Sequence, residues 1–516
     1  MSAPLPPWLE PLSDAAAQRA LDAWAIEQRG VPGLELMERA GAGLARLVAE
    51  RVGQGSIAIV CGKGNNGGDG LVAARHLRAA GREVDVQLLC PPQELRGDAR
   101  ANCERLPGAP PRPFVPGTLM DEAVIVDAIL GTGSSGAPEG PALGAVETLA
   151  AAAERGIPVI ACDVPSGVDA STGEVAGPAV RAVATATFHA AKPGLWISPG
   201  KGHAGEVVVV PIGIPEDGRP SGEGAPMGLI GRAVLDALPR RGAASTKFDG
   251  GRLLVCGGST GLTGAVALAA NAAMRAGAGY VTALVPESLH AVVARRLLEV
   301  MSAPLADEGG ALTPAAFEAV FERSLAAGAL VLGPGLGRAA VATELARELS
   351  AQVAIPLVLD ADGLNAHAGA LDALWARPAP TVLTPHGGEL ARLLGVEGDE
   401  VRAHRLACAR EAARRAGAVV VLKGDDTLVV PPDENAPVAV SRGAAPALAT
   451  AGTGDVLAGA IGALLARGVE PFTAACAGVE LHRRAGRIVG ERVGVEGALA
   501  RDVIDALPAA RVDSRP

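Results

Sequence analysis

The sequence predicts an α/β protein with two three-layer domains, in which helices cover both faces of a largely parallel sheet. Short apolar segments alternate with Ala- and Leu-rich helical stretches along most of the 516 residues. Glycine (68 residues) and proline (39 residues) separate these segments at turns, and an aromatic content of 2% indicates cores built from Ala, Val and Leu. The length exceeds what one hydrophobic core usually serves, so we expect more than one domain.

The first half begins with two helices and then alternates between strands and helices. Ser13 or Asp14 caps a helix over residues 15–29, Pro32 and Gly33 end it, and a second helix spans residues 34–52. The predicted strands of this half are residues 56–61, 83–89, 123–129, 158–163, 184–188 and 206–210. Strands separated by helices predict a parallel sheet that is covered on both faces.

A segment rich in Pro, Gly and charged residues, 216–228, is the predicted linker. It divides the chain into an amino-terminal domain, residues 1–215, and a carboxyl-terminal domain, residues 229–516. The predicted strands of the second domain are residues 252–256, 280–285, 330–332, 357–360, 381–384 and 419–423. We therefore expect a second layered α/β domain.

Charge and cysteine content exclude several classes of function. The formal net charge is −10 without basic runs, and a single Tyr leaves little for base stacking, so we expect no nucleic-acid partner. The seven cysteines form no CxxC pair, which argues against a disulfide framework and a zinc site. No apolar run is long enough to span a membrane, so we expect a cytoplasmic protein. The acidic, apolar-rich composition favours a homo-oligomer.

The glycine-rich loop at residues 62–70 follows a predicted strand and is suited to binding an anion. Its G-x-G-x-x-G spacing formally matches a dinucleotide fingerprint, but the acid expected at the end of the next strand is missing. A Walker loop is excluded because no Gly-Lys-Ser/Thr follows. Glycine amides can form a nest for phosphate, and Asp69–Gly70 would open a helix with a positive end. The alternative is a tight turn with Asp69 as a simple helix cap.

Three further polar groups follow strands of the same half. Asp127 closes one strand ahead of the Gly-rich loop 131–136, and Asp163 closes the next strand ahead of Ser166. Ligands of open parallel sheets bind at the carboxyl ends of strands, so we expect Asn66, Asp127 and Asp163 to converge. Oxygen ligands from Asn66, Asp127 and Ser166 would suit a hard, weakly held cation.

Lys192, in a turn after the strand 184–188, has two interpretations, a phosphate contact or a solvated surface lysine.

The second half carries its strongest motif at residues 451–459, a glycine loop that leads into a helix. Amides at such a helix start can hold phosphate oxygens, and Asp455 can take a proton from a substrate hydroxyl; the alternative is a helix cap. Loops 257–265, 333–337 and 384–389 also follow strands. His386 is a ligand contact or a structural histidine, and Glu389 caps its helix or holds Mg²⁺ through water. Residues 423–427 form a nucleotide contact or an ordinary charged turn.

The motifs GKGNNGGDG, VDAILGTG and DVPSGVDA in the first half resemble the epimerase domain of the NAD(P)H-hydrate repair enzymes. VCGGSTGLTGA, GPGLG, VLDADGLNAH, TPHGGEL, VLKGDDT and AGTGDVLAG in the second half resemble the dehydratase domain of the same family. The sequence departs from the family pattern at Leu262, Gly387 and Ala445. The resemblance implies a Rossmann-like first domain and a ribokinase-like second domain.

The resemblance also implies a role for particular residues. Those expected to contact hydrated nicotinamide nucleotide in the first domain are Asn65, Asn66, Gly67, Gly68, Asp69, Gly131, Thr132, Gly133, Ser134, Ser135, Gly136, Ala137 and Asp163. Asn66, Asp127 and Ser166 would lie near K⁺, and we infer that Asp163 moves the proton of epimerisation. In the second domain Ala265, Gly335, His386 and Asp455 would contact the substrate. Lys423, Gly424, Asp425, Asp426, Thr427 and Gly454 would contact the adenine nucleotide, and Asp455 would be the catalytic aspartate.

The implied activity is a bifunctional repair of NADH and NADPH. One domain would interconvert the R and S hydrates, and the other would dehydrate the S form at the expense of ADP or ATP, with Mg²⁺. Two alternatives remain at this point. Fold alone does not fix substrate, so a ribokinase-like small-molecule kinase is possible, as is a regulatory module that binds nucleotide without turnover.

Overall fold

The computed structural model describes residues 4–119, 122–215, 226–443 and 445–512. These residues divide into two compact units, one within residues 11–227 and the other formed by residues 4–10 and 228–512. Most of the predicted linker, residues 216–225, lies outside the described residues. The predicted fold class, two layered α/β units with largely parallel sheets, is confirmed.

The first half alternates between strands and helices as predicted, with two short strands that the sequence did not predict, Leu9–Leu12 and Arg112–Pro113. The strands are β1 (Leu9–Leu12), β2 (Ile57–Cys61), β3 (Val84–Leu88), β4 (Arg112–Pro113), β5 (Val124–Ala128), β6 (Val159–Cys162), β7 (Ala184–Phe188) and β8 (Glu206–Val210). The helices are α1 (Ala15–Glu27), α2 (Gly33–Arg51), α3 (Asn65–Ala79), α4 (Gly97–Glu104), α5 (Pro141–Glu154) and α6 (Lys201–Ala204). Asp14 caps α1 by accepting a hydrogen bond from the Ala17 N–H, as predicted for Ser13 or Asp14.

The first unit is built on a parallel sheet with the order β4-β3-β2-β5-β6-β7-β8. Along β2, Ile57 and Ile59 join the apolar cluster that contains residues of α2 and α3, whereas Ala58 and Val60 join the cluster that contains residues of α5. Both faces of the sheet are therefore buried, which explains why β2 and β6 are continuously apolar. The order reverses between β2 and β5, so loops after these two strands diverge and leave a crevice.

The second half has more strands than the sequence predicts. Its strands are β9 (Met227–Ile230), β10 (Arg252–Cys256), β11 (Tyr280–Pro286), β12 (Met301–Leu305), β13 (Asp307–Glu308), β14 (Ala311–Leu312), β15 (Ala329–Leu332), β16 (Leu357–Leu359), β17 (Thr381–Leu383), β18 (Val419–Leu422), β19 (Leu428–Val430) and β20 (Val438–Val440). Its helices are α7 (Thr263–Ala276), α8 (Glu287–Ala294), α9 (Phe317–Ser324), α10 (Ala340–Gln352), α11 (Asp362–Asn365), α12 (Gly387–Leu394), α13 (Gly398–Ala403), α14 (Arg405–Ala416), α15 (Thr453–Ala466), α16 (Pro471–Arg492) and α17 (Ala500–Val512).

The second sheet has the order β1-β9-β20-β19-β18-β17-β16-β15-β10-β11-β12. The strands from β12 to β18 in this order run parallel, and β19 and β20 add antiparallel pairs. The strands missed from the sequence are short or lie towards the two edges of this sheet, where a short apolar run gives little periodic signal. Its order reverses between β10 and β15, which places the loops after those strands at a second crevice.

Candidate active sites

The crevice of the first unit is a cavity of about 1140 Å³, large enough for a dinucleotide. Its wall contains Asn65, Asn66 and Asp69 from α3 and the whole loop 131–137 after β5. The structure thus brings most of the predicted substrate contacts to one surface. Gly67 and Gly68 lie behind this wall, where a Cβ would come within 2.0 Å of the Gly62 carbonyl oxygen and 2.6 Å of the Met37 methyl carbon, respectively.

The helix at this cavity begins earlier than predicted. α3 starts at Asn65 after Gly64, and no side chain caps it. Asp69 is consequently a buried residue within α3 and does not open the helix. No side chain caps the first amides of α3, and Asn65 and Asn66 of this turn line the cavity, whereas the Gly68 N–H donates to the Gly64 carbonyl at 3.2 Å.

Asp163 lies at the end of β6 with a left-handed backbone (φ 66°), which is uncommon for a residue other than glycine. Its carboxylate accepts hydrogen bonds from the Thr132 N–H at 3.0 Å and the Thr132 hydroxyl at 2.5 Å. Burial by itself would raise the pKa of Asp163, but the charge of Lys192 and these hydrogen bonds outweigh it and lower the pKa. Asp163 is therefore ionised at neutral pH.

Lys192 is completely buried, so it is not a solvated surface lysine. Its Nζ lies 2.8 Å from the Asp163 carboxylate and donates to the Phe188 carbonyl, also at 2.8 Å. The sequence-based alternatives for Lys192 omitted this ion pair because the two residues are far apart in the chain. An unpaired ammonium could not be buried in this way.

Two carboxylic acids share the cavity with the ion pair. Burial raises the pKa of Asp69 well above its usual range, and the negative charges of Asp163 and Asp22 raise it further, against the opposing effect of Lys192. Burial also raises the pKa of Asp22, whose carboxylate accepts a hydrogen bond from Gln18 at 2.9 Å. The cavity therefore contains an ionised carboxylate, Asp163, and a carboxyl group that tends to keep its proton, Asp69. Sequence reasoning missed Gln18 and Asp22, which α1 brings to the cavity from outside any motif.

Asn66 lies in the first turn of α3, Asp127 in β5 near its carboxyl end, and Ser166 in the loop after β6. The carboxylate of Asp127 accepts hydrogen bonds from the Ser166 hydroxyl at 2.6 Å and from the Ser166 N–H at 2.8 Å. Burial raises the pKa of Asp127 to about 6, although these hydrogen bonds oppose the shift. Both polar atoms of the Asn66 amide are buried and have no hydrogen-bond partner within the described part of the chain.

In the second unit, the predicted catalytic residue Asp455 lies in the first turn of α15. The preceding Gly452 takes a left-handed conformation (φ 88°) that a side chain would strain, and this turn opens the helix towards the strand ends. Burial and the negative charge of Asp360 raise the pKa of Asp455 to about 7, and the charge of Lys423 limits the shift. A carboxylate with a pKa near neutrality is suited to accept a proton.

Lys423, after β18, is the cation at the centre of this site. Its Nζ lies 2.9 Å from the carboxylate of Asp360 and 3.6 Å from that of Glu389, and a Cβ on Gly454 would come within 3.5 Å of it. Burial would lower the pKa of Lys423, but the carboxylates of Asp360 and Glu389 reverse this and raise it. Lys423 is therefore positively charged and lies beside the glycine loop.

His386 and Glu389 form a reciprocal cap at the start of α12. The His386 ring accepts a hydrogen bond from the Gly388 N–H at 3.0 Å, and the Glu389 carboxylate accepts one from the His386 N–H at 2.8 Å. Glu389 therefore caps its helix, which was one of its two predicted roles; the other, a water-mediated contact with Mg²⁺, stays a prediction. The side chain of His386 is 54% exposed, so it can still contact a ligand.

Ala265 and Gly335 are neighbours at the second crevice. A Cβ on Gly335 would lie 3.1 Å from the Ala265 Cβ, and the positive φ of Gly335 (64°) already disfavours any side chain there. The structure therefore brings together two predicted substrate contacts, one from the first turn of α7 and one from the loop after β15.

The loop 423–427 is held by a buried ion pair. Asp426 is 2% exposed, and its carboxylate bonds Arg405 at 2.9 and 3.0 Å. The Thr427 hydroxyl donates to the Gly424 carbonyl at 2.9 Å and closes the turn. Asp426 thus positions this loop through Arg405.

Within residues 4–119, 122–215, 226–443 and 445–512, no group of three or more His, Cys, Asp or Glu side chains is arranged to hold a metal ion. No helix in these ranges is long and apolar enough to cross a membrane.

Comparison with known proteins identifies the family. A family model described as NAD(P)H-hydrate dehydratase matches residues 253–509, and one described as YjeF-related protein N-terminus matches residues 33–194. The chain is 40% identical to the bifunctional NAD(P)H-hydrate repair enzyme of Moorella thermoacetica over 513 residues, which cover 96% of both proteins. The chain belongs to the bifunctional NAD(P)H-hydrate repair enzymes.

A second member of these repair enzymes, from Salinibacter ruber, is also 40% identical, over 96% of this chain and 95% of its own length. Among solved structures, the ADP/ATP-dependent NAD(P)H-hydrate dehydratase of Bacillus subtilis, co-crystallised with ATP and Mg²⁺, is 28% identical. It covers 54% of this chain and 94% of its own, with a TM-score of 0.45. The full-length matches to the repair enzymes span both units and both crevices described above.

Proposed function

We propose that this chain repairs hydrated NADH and NADPH, with epimerisation in the first unit and dehydration of the S form, at the expense of ADP or ATP, in the second. The observation that carries the proposal is Asp455, a carboxylate with a pKa raised to about 7 beside Lys423 at an open glycine loop. The family membership supports it across both units. The cytoplasmic location and the homo-oligomer remain predictions.

Dehydration begins with transfer of a phosphoryl group to the ring hydroxyl. Asp455 accepts the hydroxyl proton as the oxygen attacks the terminal phosphorus of the nucleotide. The amides of residues 452–454 and the ammonium of Lys423 stabilise the negative charge of the transferred group. The ring nitrogen then expels phosphate, and loss of a proton from the adjacent ring carbon restores the double bond of the reduced nicotinamide.

Epimerisation needs a proton to move to and from the ring hydroxyl. Burial and the neighbouring carboxylates raise the pKa of Asp69, whereas Lys192 and Thr132 outweigh burial and lower the pKa of Asp163, so Asp69 holds its proton more strongly than Asp163 does. We assign the acceptor role to Asp163, held by Lys192 and Thr132, and the donor role to Asp69. The ring nitrogen stabilises the cation that forms when the hydroxyl leaves, and water returns to either face.

Asn66, on the wall of the first cavity, and the buried Asp127 and Ser166 fit K⁺. The amide of Asn66 is buried without a hydrogen-bond partner in the described residues, and the Ser166 hydroxyl donates to the Asp127 carboxylate. An oxygen ligand set with one carboxylate suits a weakly held monovalent cation. When bound, K⁺ would supply positive charge beside the nucleotide phosphates.

The residues of the second crevice fit Mg²⁺ held largely by substrate. Asp360, Glu389 and Asp455 present three carboxylates against the single ammonium of Lys423. Mg²⁺ usually keeps several waters and binds through one or two carboxylates and the phosphates of its nucleotide. When bound, Mg²⁺ would neutralise phosphate charge.

The test is recovery of the near-ultraviolet absorbance of reduced nicotinamide from a mixture of both NADH hydrate epimers, with K⁺, Mg²⁺ and either ADP or ATP. Full recovery with release of free phosphate supports both activities. Recovery that stops when the S form is consumed contradicts epimerisation. A stable phosphorylated product in place of free phosphate contradicts the repair reaction and indicates a small-molecule kinase.

A further inference from the structure

A second cavity, of about 560 Å³, lies in the second unit and is lined mainly by arginine. We call it the arginine cavity. It forms where α7, α15 and α17 end, together with the segment that follows β9. Its arginines are Arg232, Arg240, Arg241, Arg275, Arg467 and Arg511.

The arginine cavity is distinct from the proposed dehydratase site. Asp455 lies in the first turn of α15, whereas Arg467 follows the last residue of the same helix. Arg467 is twelve positions after Asp455, which corresponds to about 18 Å along the helix axis. The motifs that define the proposed function contribute no residue to the arginine cavity.

Half of these arginines have carboxylate partners. Asp236 pairs with Arg232 at 3.2 Å and with Arg240 at 2.8 Å, and Asp505 pairs with Arg275 at 3.4 Å. These pairs are largely exposed, so they contribute little and can exchange for another anion.

The other three arginines are bonded only to backbone carbonyls in the described residues. Arg467 and Arg511 both donate to the Pro239 carbonyl, at 2.7 and 2.6 Å, and Arg241 donates to those of Gly277 and Ala278 at 3.3 Å. The carboxyl ends of three helices attract cations to this place. The partial negative charges of three helix ends sum to about −1.5, whereas six guanidinium groups and two carboxylates leave a net charge of about +4.

Arg467 has unmet hydrogen-bonding capacity. Its Nε is shielded from solvent and has no partner in the described residues, and the same holds for Nε of Arg232. Burial and the positive charges of Arg511 and Arg241 lower the pKa of Arg467, and burial with Arg240 and Arg241 lowers that of Arg511. Like charges thus face one another around a space, an arrangement that a bound anion would stabilise.

We propose that the arginine cavity binds a small polyphosphate anion, either inorganic pyrophosphate or the diphosphate group of a nucleotide. Planar guanidinium groups present paired donors that match phosphate oxygens, and Arg is preferred over Lys where several such pairs converge. The cavity volume is in the range of small-ligand sites. An anion with several charged oxygens can engage arginines on both sides of the space at once.

Isothermal titration calorimetry of the full chain, with inorganic pyrophosphate and with ADP in separate titrations, tests this proposal. The wild type is compared with the double variant Arg241→Gln/Arg467→Gln. The double variant should lose one equivalent of bound anion, or bind that anion at least about tenfold more weakly. Each substitution removes a charge-assisted hydrogen bond to the anion. Loss in the pyrophosphate titration alone identifies the inorganic anion, and loss in both identifies the nucleotide diphosphate.

Arg492→Gln is the matched control, because Arg492 is an exposed arginine in the last turn of α16 and lies outside the cavity. Its isotherms should equal those of the wild type. Arg240→Gln/Arg241→Gln provides a second variant whose side chains are exposed, and thermal unfolding without ligand shows that each variant is folded. If both double variants, Arg241→Gln/Arg467→Gln and Arg240→Gln/Arg241→Gln, gave isotherms equal to those of the wild type, the proposal would be overturned.

Discussion

Asp455→Asn should abolish dehydration and at the same time stabilise the second unit at alkaline pH. The substitution keeps the shape of the side chain but removes the ability to ionise. The wild-type carboxyl has a pKa raised from 3.8 to about 7 by burial and by Asp360. Folding therefore opposes ionisation of Asp455, and the asparagine variant is relieved of this cost.

The magnitude follows from the shift in pKa. A folded-state pKa above the unfolded value gives a contribution to stability that is complete below pH 3.8 and is lost as the pH rises to about 7. At pH 8 the loss amounts to about 4 kcal/mol, and at pH 5 to about 2 kcal/mol. The stability difference between Asp455→Asn and wild type should follow these values.

The measurement is denaturant unfolding at pH 5 and pH 8, with the transition of the second unit assigned by its shift on adding ATP. Glu322→Gln, an exposed change of the same chemical type on α9, is the control and should alter stability by less than about 0.5 kcal/mol at either pH. Hydrate dehydration by Asp455→Asn should fall by orders of magnitude with ATP binding intact.

Two results would refute this reasoning. Equal stability of Asp455→Asn and wild type at pH 8 would show that folding does not oppose ionisation of Asp455. Undiminished dehydration by the variant would show that this carboxylate is not the proton acceptor. The two results are independent, because one concerns the environment of Asp455 and the other its chemistry.

Three further predictions concern both sites. Lys192→Met should abolish epimerisation and cost about 3–5 kcal/mol in denaturant unfolding, because it leaves the Asp163 carboxylate, only 13% exposed, without its cation; a loss below about 1 kcal/mol would contradict this role of the ion pair. Asn66→Ala should make epimerisation insensitive to replacement of K⁺ by Na⁺, whereas a variant that keeps the wild-type response would exclude Asn66 from the cation site. The kcat/KM of dehydration should rise with pH to a plateau above about 7, falling about tenfold at pH 6, because Asp455 must be ionised; a flat profile over pH 5.5–8 would contradict this.

The local pattern of the sequence determined the layered α/β fold and the positions of the loops at both crevices. Apolar runs and glycines lie close together in the chain, so strand, turn and helix leave a readable signal at residues 56–70 and 419–467. The motifs at these strand ends also led to the family that the full-length matches confirm. Short strands such as β1 and β20 escaped because three or four residues carry no periodicity.

Only the tertiary structure decided which charges face one another. Lys192 is buried because Asp163, at the end of a neighbouring strand, compensates its charge. The pKa of Asp455 is raised to about 7 because the fold buries this carboxyl and brings it near Asp360. The arginine cavity likewise collects residues from helix ends that are distant in the chain. Burial and Coulomb energies depend on distances between side chains rather than on spacing in sequence, so these properties appear only once the chain is folded.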